Sequence, residues 1–260
     1  MAEGDTILRT ARRLDAALTG RRVSASAPNP RGRAAGVGQL DGRRVERVES
    51  RGKHLLVHFS DGVVLHSHLG MNGSWQLYAP GAHWRRSRRA AWAVLGTDDA
   101  QAVQFGGSTL RVLPARRLSL DPTLSRLGPD ILAEDFDAAA VSAALRDGAA
   151  HRELGDVLLD QRLVAGIGNI FKSEGCFAAG VNPWRAVAEL EAAELDAVLT
   201  GTRELMQAAV VNGRHPHRVY RRAGEPCRRC RTRLRSHGQG DANRTTYWCP
   251  RCQPSGETSR

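Results

Sequence analysis

Residues 227–252 read CRRCRTRLRSHGQGDANRTTYWCPRC, and this stretch decides how the C-terminal half folds. Cys227 and Cys230 form one C-x2-C pair and Cys249 and Cys252 a second, with 18 residues between the pairs. Each pair sets two thiolates on one side of a metal ion, and two pairs complete a tetrahedron. Four thiolates leave no open coordination position, so the expected cofactor is one structural Zn2+ rather than a catalytic ion. Two disulfides are the competing reading, but they need an oxidising compartment, to which nothing else in the chain points. Between the pairs, residues 245–248 are strand-like and 238–241 (GQGD) read as a turn, so the metal is expected to pin a β-hairpin.

That hairpin lies in the most basic part of the chain. From 213 to 252 there are eleven arginines against Glu225 and Asp241, which accounts for +9 of the net +11 over 260 residues. Charge clustered to this degree points to a polyanion, nucleic acid above all, rather than to a diffuse excess. Of the 38 basic residues only Lys53 and Lys172 are lysines. An amine can lose its proton where a guanidinium cannot, so both positions become candidates for a site.

Upstream, residues 5–18 carry Ile7, Leu8, Ala11, Leu14, Ala17 and Leu18 at helical spacing, with Asp5 or Thr6 as cap and Gly20 as stop. From 21 to 113 the pattern changes to short apolar runs (45–48, 55–59, 63–66, 91–95, 102–105, 109–113) separated by Gly and Asp turns, which predicts six to eight strands. Residues 114–135 hold Pro114, Pro122 and Pro129 and little periodicity, and the interdomain linker is placed there. Helical patterns return at 136–147, 151–160, 168–178 and 187–211. The GIGN turn at 166–169 opens one of them. A glycine-rich turn at a helix start exposes backbone N–H groups at the positive end, and Asn169 adds a side-chain donor, a way of gripping a phosphate without reading a base. Cys176, alone on a helical segment, reads as a buried core residue.

No apolar run approaches the roughly 20 residues of a bilayer span, so no membrane is expected. The first residues, MAEGDTILRTARRLD, carry acids early and no continuous apolar stretch, unlike a secretory signal, and the expected compartment is the cytoplasm, at the nucleoid. Loss of Met1 would expose the α-amine of Ala2. Its reference pKa, near 8, makes it a better nucleophile at neutral pH than a lysine, and Glu3 beside it is placed to shuttle protons.

Several motifs, in order, resemble the formamidopyrimidine/endonuclease VIII family of base-excision DNA glycosylases. They are MAEGDT at 1–6, RGKHL at 51–55, HLGMNG at 68–73, GIGN at 166–169, and Tyr220 leading into the four-cysteine finger that closes with YWCP at 247–250. The resemblance spans about residues 2–253. It implies an α+β chain of two domains that clamps bent, damaged double-stranded DNA as a monomer. A β-sandwich with an N-terminal helix (1–118) would be joined by a linker (119–135) to a helix–two-turn–helix domain (136–218), a zinc finger (219–253) and a tail (254–260).

The resemblance also implies roles. The N-terminal amine attacks C1′ of a flipped nucleotide, the base leaves, and a Schiff base leads to strand cleavage. Glu3 matches the family acid and Lys53 its phosphate-contacting lysine. Asn169 matches the phosphate-gripping asparagine, and Arg244 the arginine of the zinc hairpin. Met71 falls where a void-filling wedge is expected, and Lys172, after the GIGN turn, would face the DNA backbone. The family usually carries proline at the position of Ala2. Three readings follow: a natural variant that still cuts, a disabled substitution, or a homologue that binds damage without cleaving it. A zinc-ribbon transcription factor explains the finger but not the N-terminal motifs. Only fifteen residues separate Val211 from Cys227, which resembles the endonuclease VIII branch and its preference for oxidised pyrimidines.

Overall fold

The period-3.6 stripe at the start of the chain folds as α1 (Gly4–Leu18), which buries Ile7, Ala11, Leu14 and Leu18. Its N-cap is Glu3, not Asp5 or Thr6 as expected; Asp5 lies inside the first turn and is fully buried. The computed structural model describes residues 2–255, so the end of the tail, 256–260, lies outside the described residues. The chain divides into two units, one up to Arg126 and one from Leu127.

After α1 come β1 (Ser24–Ser26), the short α2 (Pro30–Ala34), β2 (Val45–Arg51), β3 (His54–Phe59), β4 (Val63–His68), β5 (Ser74–Tyr78), β6 (Ala91–Gly96), β7 (Gln101–Phe105) and β8 (Thr109–Pro114). They form two four-stranded antiparallel sheets, in the orders β2-β3-β4-β8 and β1-β6-β7-β5. Leu55, Val57 and Phe59 of β3 and Leu65 of β4 share one core with Ala93 and Leu95 of β6, Ala102 of β7 and the apolar stripe of α1. The period-2 alternation puts His54, Leu56 and His58 on the opposite face of β3, and that face is buried too. β2 is an edge strand. Its Val48 N–H is taken at 2.7 Å by Asp15 of α1, which seats the helix against the sheet.

Two turns of this unit carry candidate residues. Gly52 takes φ +56° at the first position of the two-residue β2–β3 hairpin, a conformation glycine adopts without strain, and Lys53 follows it at the tip. Between β4 and β5 the chain closes on itself through a Gly73 N–H to Leu69 carbonyl bond of 2.9 Å. A Cβ on Gly73 would lie 2.5 Å from that carbonyl oxygen and 2.8 Å from the Gly107 Cα. Met71 rides on this loop with 56% of its surface exposed.

The second unit comprises α3 (Ala138–Gly148), α4 (Leu154–Val157), α5 (Asn169–Ala179), α6 (Ala192–Asn212), β9 (Arg235–Gln239) and β10 (Arg244–Trp248). The helix expected at 151–160 shrinks to four residues because Asp160 and Gln161 begin the turns that lead to α5. Asp160 binds Arg152 and Arg162, and Gln161 donates to the Leu159 and Ile167 carbonyls. α6 starts later than the pattern implies, because Glu191 and Glu194 form a reciprocal capping box after a 3-10 turn at Val187–Glu189. Residues 128–131, within the stretch read as linker, run against 161–165, and Ile131 lies fully buried in the helical core. Among the described residues no helix is long and apolar enough to cross a membrane.

Gly73→Ala should destabilise the first unit by about 1–3 kcal/mol, the usual cost of forcing atoms into a packed site. A urea midpoint unchanged by the substitution would show that the loop carrying Met71 is not held as described.

Candidate nucleic-acid interface and zinc centre

At the start of α1, Ala2 packs half-buried against the sandwich core, and Glu3 follows with no exposed surface. The Glu3 carbonyl accepts the Ile7 N–H at 3.1 Å, while its carboxyl makes no cap bond. A carboxyl buried at the positive end of a helix is a group held in place by the fold rather than a solvated surface acid.

Lys53 stands at the β2–β3 hairpin tip, and its charge reaches His68 at the end of β4. Burial, then this neighbouring ammonium, holds the His68 imidazole below its usual pKa. His68 Nδ1 receives the Gly70 N–H at 3.2 Å and lies 2.6 Å from Ser108 Oγ. Ala2, Glu3, Lys53 and Met71 thus all belong to the first unit.

In the second unit α5 is buried from Asn169 through Phe177, so its polar residues meet internal partners. The Asn169 side-chain amide donates to the Thr245 carbonyl at 2.7 Å, and its oxygen has no partner among the described residues. Arg244 opens β10, exposed, one residue before Thr245. The GIGN turn is therefore bonded directly to the residue that follows the hairpin arginine. Lys172 departs from expectation. It does not face outward; it is fully buried and donates from Nζ to Thr246 Oγ1 at 2.5 Å. The reason is helical geometry: position 172 shares a face of α5 with 169, 173 and 176, and that face packs on β10. Cys176 on the same face is buried, which pushes its thiol up to about 12.

Sequence reasoning missed three groups. Glu174, fully buried, accepts the N–H groups of Arg218, Val219 and Tyr220 at 2.8–3.0 Å and so fixes the chain entering the finger. Gln239 accepts from Thr246 Oγ1 at 2.6 Å and donates to Glu153 and to the Pro183 carbonyl. The buried His54 and His66 and the half-exposed Arg111 form a hydrogen-bonded row on the outer face of the first sheet. The available signal was an acid inside the otherwise apolar helical run 169–179, and histidines alternating along two adjacent strands.

The four cysteines come together as expected. Their Sγ atoms all lie within 4.8 Å of one another, 3.5 Å for Cys230–Cys249 and 3.9 Å for Cys227–Cys252. Those separations are far longer than the roughly 2.05 Å of a disulfide and suit four thiolates around one ion. Backbone N–H groups of Arg229 and Cys252 point at Cys227 and Cys249 Sγ at 3.4 Å, where they offset thiolate charge.

Three family models match the chain in succession. They are the formamidopyrimidine-DNA glycosylase N-terminal domain over residues 1–119, the formamidopyrimidine-DNA glycosylase H2TH domain over 127–220, and the zinc finger found in FPG and IleRS over 224–254. A protein of Streptomyces coelicolor named probable endonuclease 8 2 is 41% identical over 267 residues, covering 97% of this chain and 94% of that one. The chain belongs to the formamidopyrimidine-DNA glycosylase/endonuclease 8 family.

Within this family it is also similar to the DNA-(apurinic or apyrimidinic site) lyase Nei2 of Mycolicibacterium smegmatis, at 37% identity over 97% of this chain and 99% of that one. The Lactococcus lactis Fpg structure, a complex with DNA containing an abasic site, superposes with a TM-score of 0.83 at 25% identity, covering 98% and 100% of the two chains. The two-domain glycosylase fold, with its sandwich, helix–two-turn–helix unit and finger, is that of this family. The finger model and the four converging thiols identify the metal as a structural zinc ion.

Stripping that zinc with a chelator should release one equivalent of metal and change the fluorescence of Trp248. That side chain adjoins Cys249 and packs on Trp184 at 5.3 Å between ring centroids. Metal release with no change in this signal would show that the hairpin keeps its frame without zinc.

Proposed function

We propose that the chain is a base-excision DNA glycosylase with abasic-site lyase activity on damaged duplex DNA. The observation that carries this reading is identity of 41% and 37%, over nearly the whole chain, to proteins named as an endonuclease 8 and an abasic-site lyase. The buried Glu3 beside Ala2 supports the same chemistry from the residues.

The nucleophile is the α-amine of Ala2, exposed by removal of Met1. The positive end of α1 disfavours the ammonium and so favours the free base. The nitrogen lone pair attacks C1′ of the flipped nucleotide and the bond from C1′ to the base breaks. The base leaves with a proton, for which Glu3 is the donor; the nitrogen then sheds a proton, its lone pair opens the C1′–O4′ bond, O4′ takes up a proton, and a protonated imine to C1′ remains. Loss of a C2′ proton and departure of the 3′ phosphate then cut the strand. Lys53 and His68 hold a phosphate near the lesion, Asn169 and Arg244 hold flanking phosphates, and the exposed Met71 fills the gap left by the base. Zinc supplies no step; held by the four cysteines, it fixes the hairpin that presents Arg244. Oxidised pyrimidines are the preferred lesions, the protein acts as a monomer, and it works in the cytoplasm at the nucleoid.

A second reading rests on Ala2 itself. A primary amine replaces the family's usual secondary amine, and a chain that binds damage without cutting it would retain everything else.

Borohydride trapping on a duplex with one abasic site separates the two, with the intact mass of the protein reporting the fate of Met1. A covalent adduct at Ala2 is expected; tight binding without an adduct, Met1 being absent, would leave the binder. Glu3→Gln should lower excision of thymine glycol by about 100-fold or more, the scale of general-acid catalysis. Wild-type preference for 8-oxoguanine over thymine glycol would overturn the lesion assignment. Arg244→Ala should weaken duplex binding by about tenfold and reduce the slope of log K against log salt by about one. An unchanged slope would remove Arg244 from the phosphate contacts.

A further inference from the structure

β3 and β4 place His54, His66 and His68 on the sheet face turned away from the sandwich core. His54 pairs across the strands with His68, and Arg111 of β8 with His66. His54 and His66 are only 7% and 1% exposed. Their hydrogen bonds run in one direction. Arg111 has donors only, so its Nη2, 3.1 Å from His66 Nδ1, makes that nitrogen an acceptor. Neutral His66 then carries its proton on Nε2, which lies 2.9 Å from His54 Nδ1 and donates to it. His54 is left with its proton on Nε2, and its ring sits 4.7 Å from that of His68 between centroids. The Gly70 N–H at His68 Nδ1 assigns His68 the same tautomer.

On the far side, Arg111 is held by Asp121, whose other oxygen accepts the N–H groups of Thr123 and Leu124. The row cannot pass protons along, because Arg111, which has donors only, closes one end of it. It can only fix tautomers.

We propose that Arg111 is a positioning residue that locks His66 and His54 as neutral, single-tautomer imidazoles behind His68, which is placed with Lys53 to hold a phosphate. The part that concerns phosphate rests on the function proposed above. Every charged group facing the row fits this role. Burial drives His54 down to about 3, with His68 and His66 adding to the effect, and drives His66 down to about 4, with Arg111 adding. Asp121 opposes both, but its charge is answered by Arg111. On the β2 side, Arg51, opposite His54, is paired with Glu49.

Without Arg111, Asp121 would draw a proton onto His66. Burial would still hold His66 down, but with the Arg111 contribution gone and Asp121 unanswered it would titrate higher, toward the ordinary histidine range, and above that range its tautomer would be unfixed. The row would gain a pH dependence that the native protein lacks.

The test is long-range 15N–1H NMR of the histidine rings in the full zinc-bound chain, from about pH 5.5 to about pH 8. In the wild type, His54 and His66 are expected to stay neutral and Nε2-protonated throughout. An Nδ1 proton on His66 in the wild type would overturn the proposal without any variant. In Arg111→Met, His66 should titrate within the range and show mixed tautomers at its upper end. Arg111→Lys, which keeps a cationic donor, and Asp121→Asn, which keeps Arg111, should both hold the wild-type tautomers.

Binding to a duplex with a tetrahydrofuran abasic analogue reads the consequence. Arg111→Met should match the wild type at the acid end and bind about fivefold more weakly at the alkaline end, the worth of one hydrogen bond. Equal loss at both ends would mean a structural role only and would sink the proposal. A wild type that binds no such duplex would overturn the proposed function and the phosphate role together, while the NMR spectra would still decide the tautomer lock.

Discussion

An ammonium with no exposed surface is unfavourable unless its donors are answered, and Lys172 is such a group. It donates to Thr246, Thr246 to Gln239, and Gln239 to Glu153 and the Pro183 carbonyl, so one chain of bonds links α5, both hairpin strands and the segment around α4. A strand slipped by one residue presents its opposite face. Slipping β10 would carry Thr246 away and leave Lys172 without this acceptor in a buried site. The hairpin register is therefore set by its polar interior as well as by the metal. Arg244 and the Thr245 carbonyl that binds Asn169 inherit their places from that register.

The same principle recurs where the backbone is irregular. A chain with 38 basic and 27 acidic residues uses several acids on its own N–H groups rather than in surface ion pairs. Asp15 takes the edge N–H of Val48, Asp121 those of Thr123 and Leu124, and Glu174 those of residues 218–220. Each takes N–H groups that no neighbouring strand or helix turn satisfies. Burial alone would raise the Asp121 carboxyl; the N–H groups of Leu124 and Thr123 and the Arg111 guanidinium outweigh it and hold it below the usual range. Surface pairs such as Arg222–Glu225 contribute little beside these clamps.

What the sequence made legible follows from periodicity. The stripe Ile7, Ala11, Leu14, Leu18 forms α1, and the apolar runs at 55–59 and 63–66 form the central strands. Cysteine spacing announced the metal centre. Periodicity was silent for β5 (SWQLY), whose pattern is short and follows a glycine loop, and for α2, five residues fixed by an Asn29 cap and Pro30. Lys172 was misread for a physical reason. Polar residues after a phosphate-gripping turn suit a surface, but α5 is covered on all sides, and there polar residues are interior partners. The histidine row escaped for the mirror reason: alternate residues of an antiparallel strand read as solvent-facing, yet Leu56, Val64 and His66 show that this outer face is covered.

The position of Ala2 ties these threads to the proposed chemistry. A secondary amine gives an iminium that is charged whatever its surroundings, so the site need not hold a proton on it. A primary amine gives an imine that can lose its proton, and loss of that proton removes the pull on the C2′ hydrogen. The positive end of α1, which favours the free amine for attack, also disfavours the protonated imine afterwards. The group able to reverse that bias is the carboxyl of Glu3, fully buried at the N-cap. Once it has given its proton to the departing base, it is an anion in a low-dielectric site, where attraction to a neighbouring cation is strong. One residue would thus serve first as acid and then as counter-ion. That second duty falls more heavily on it in a chain with alanine at position 2 than in one with proline.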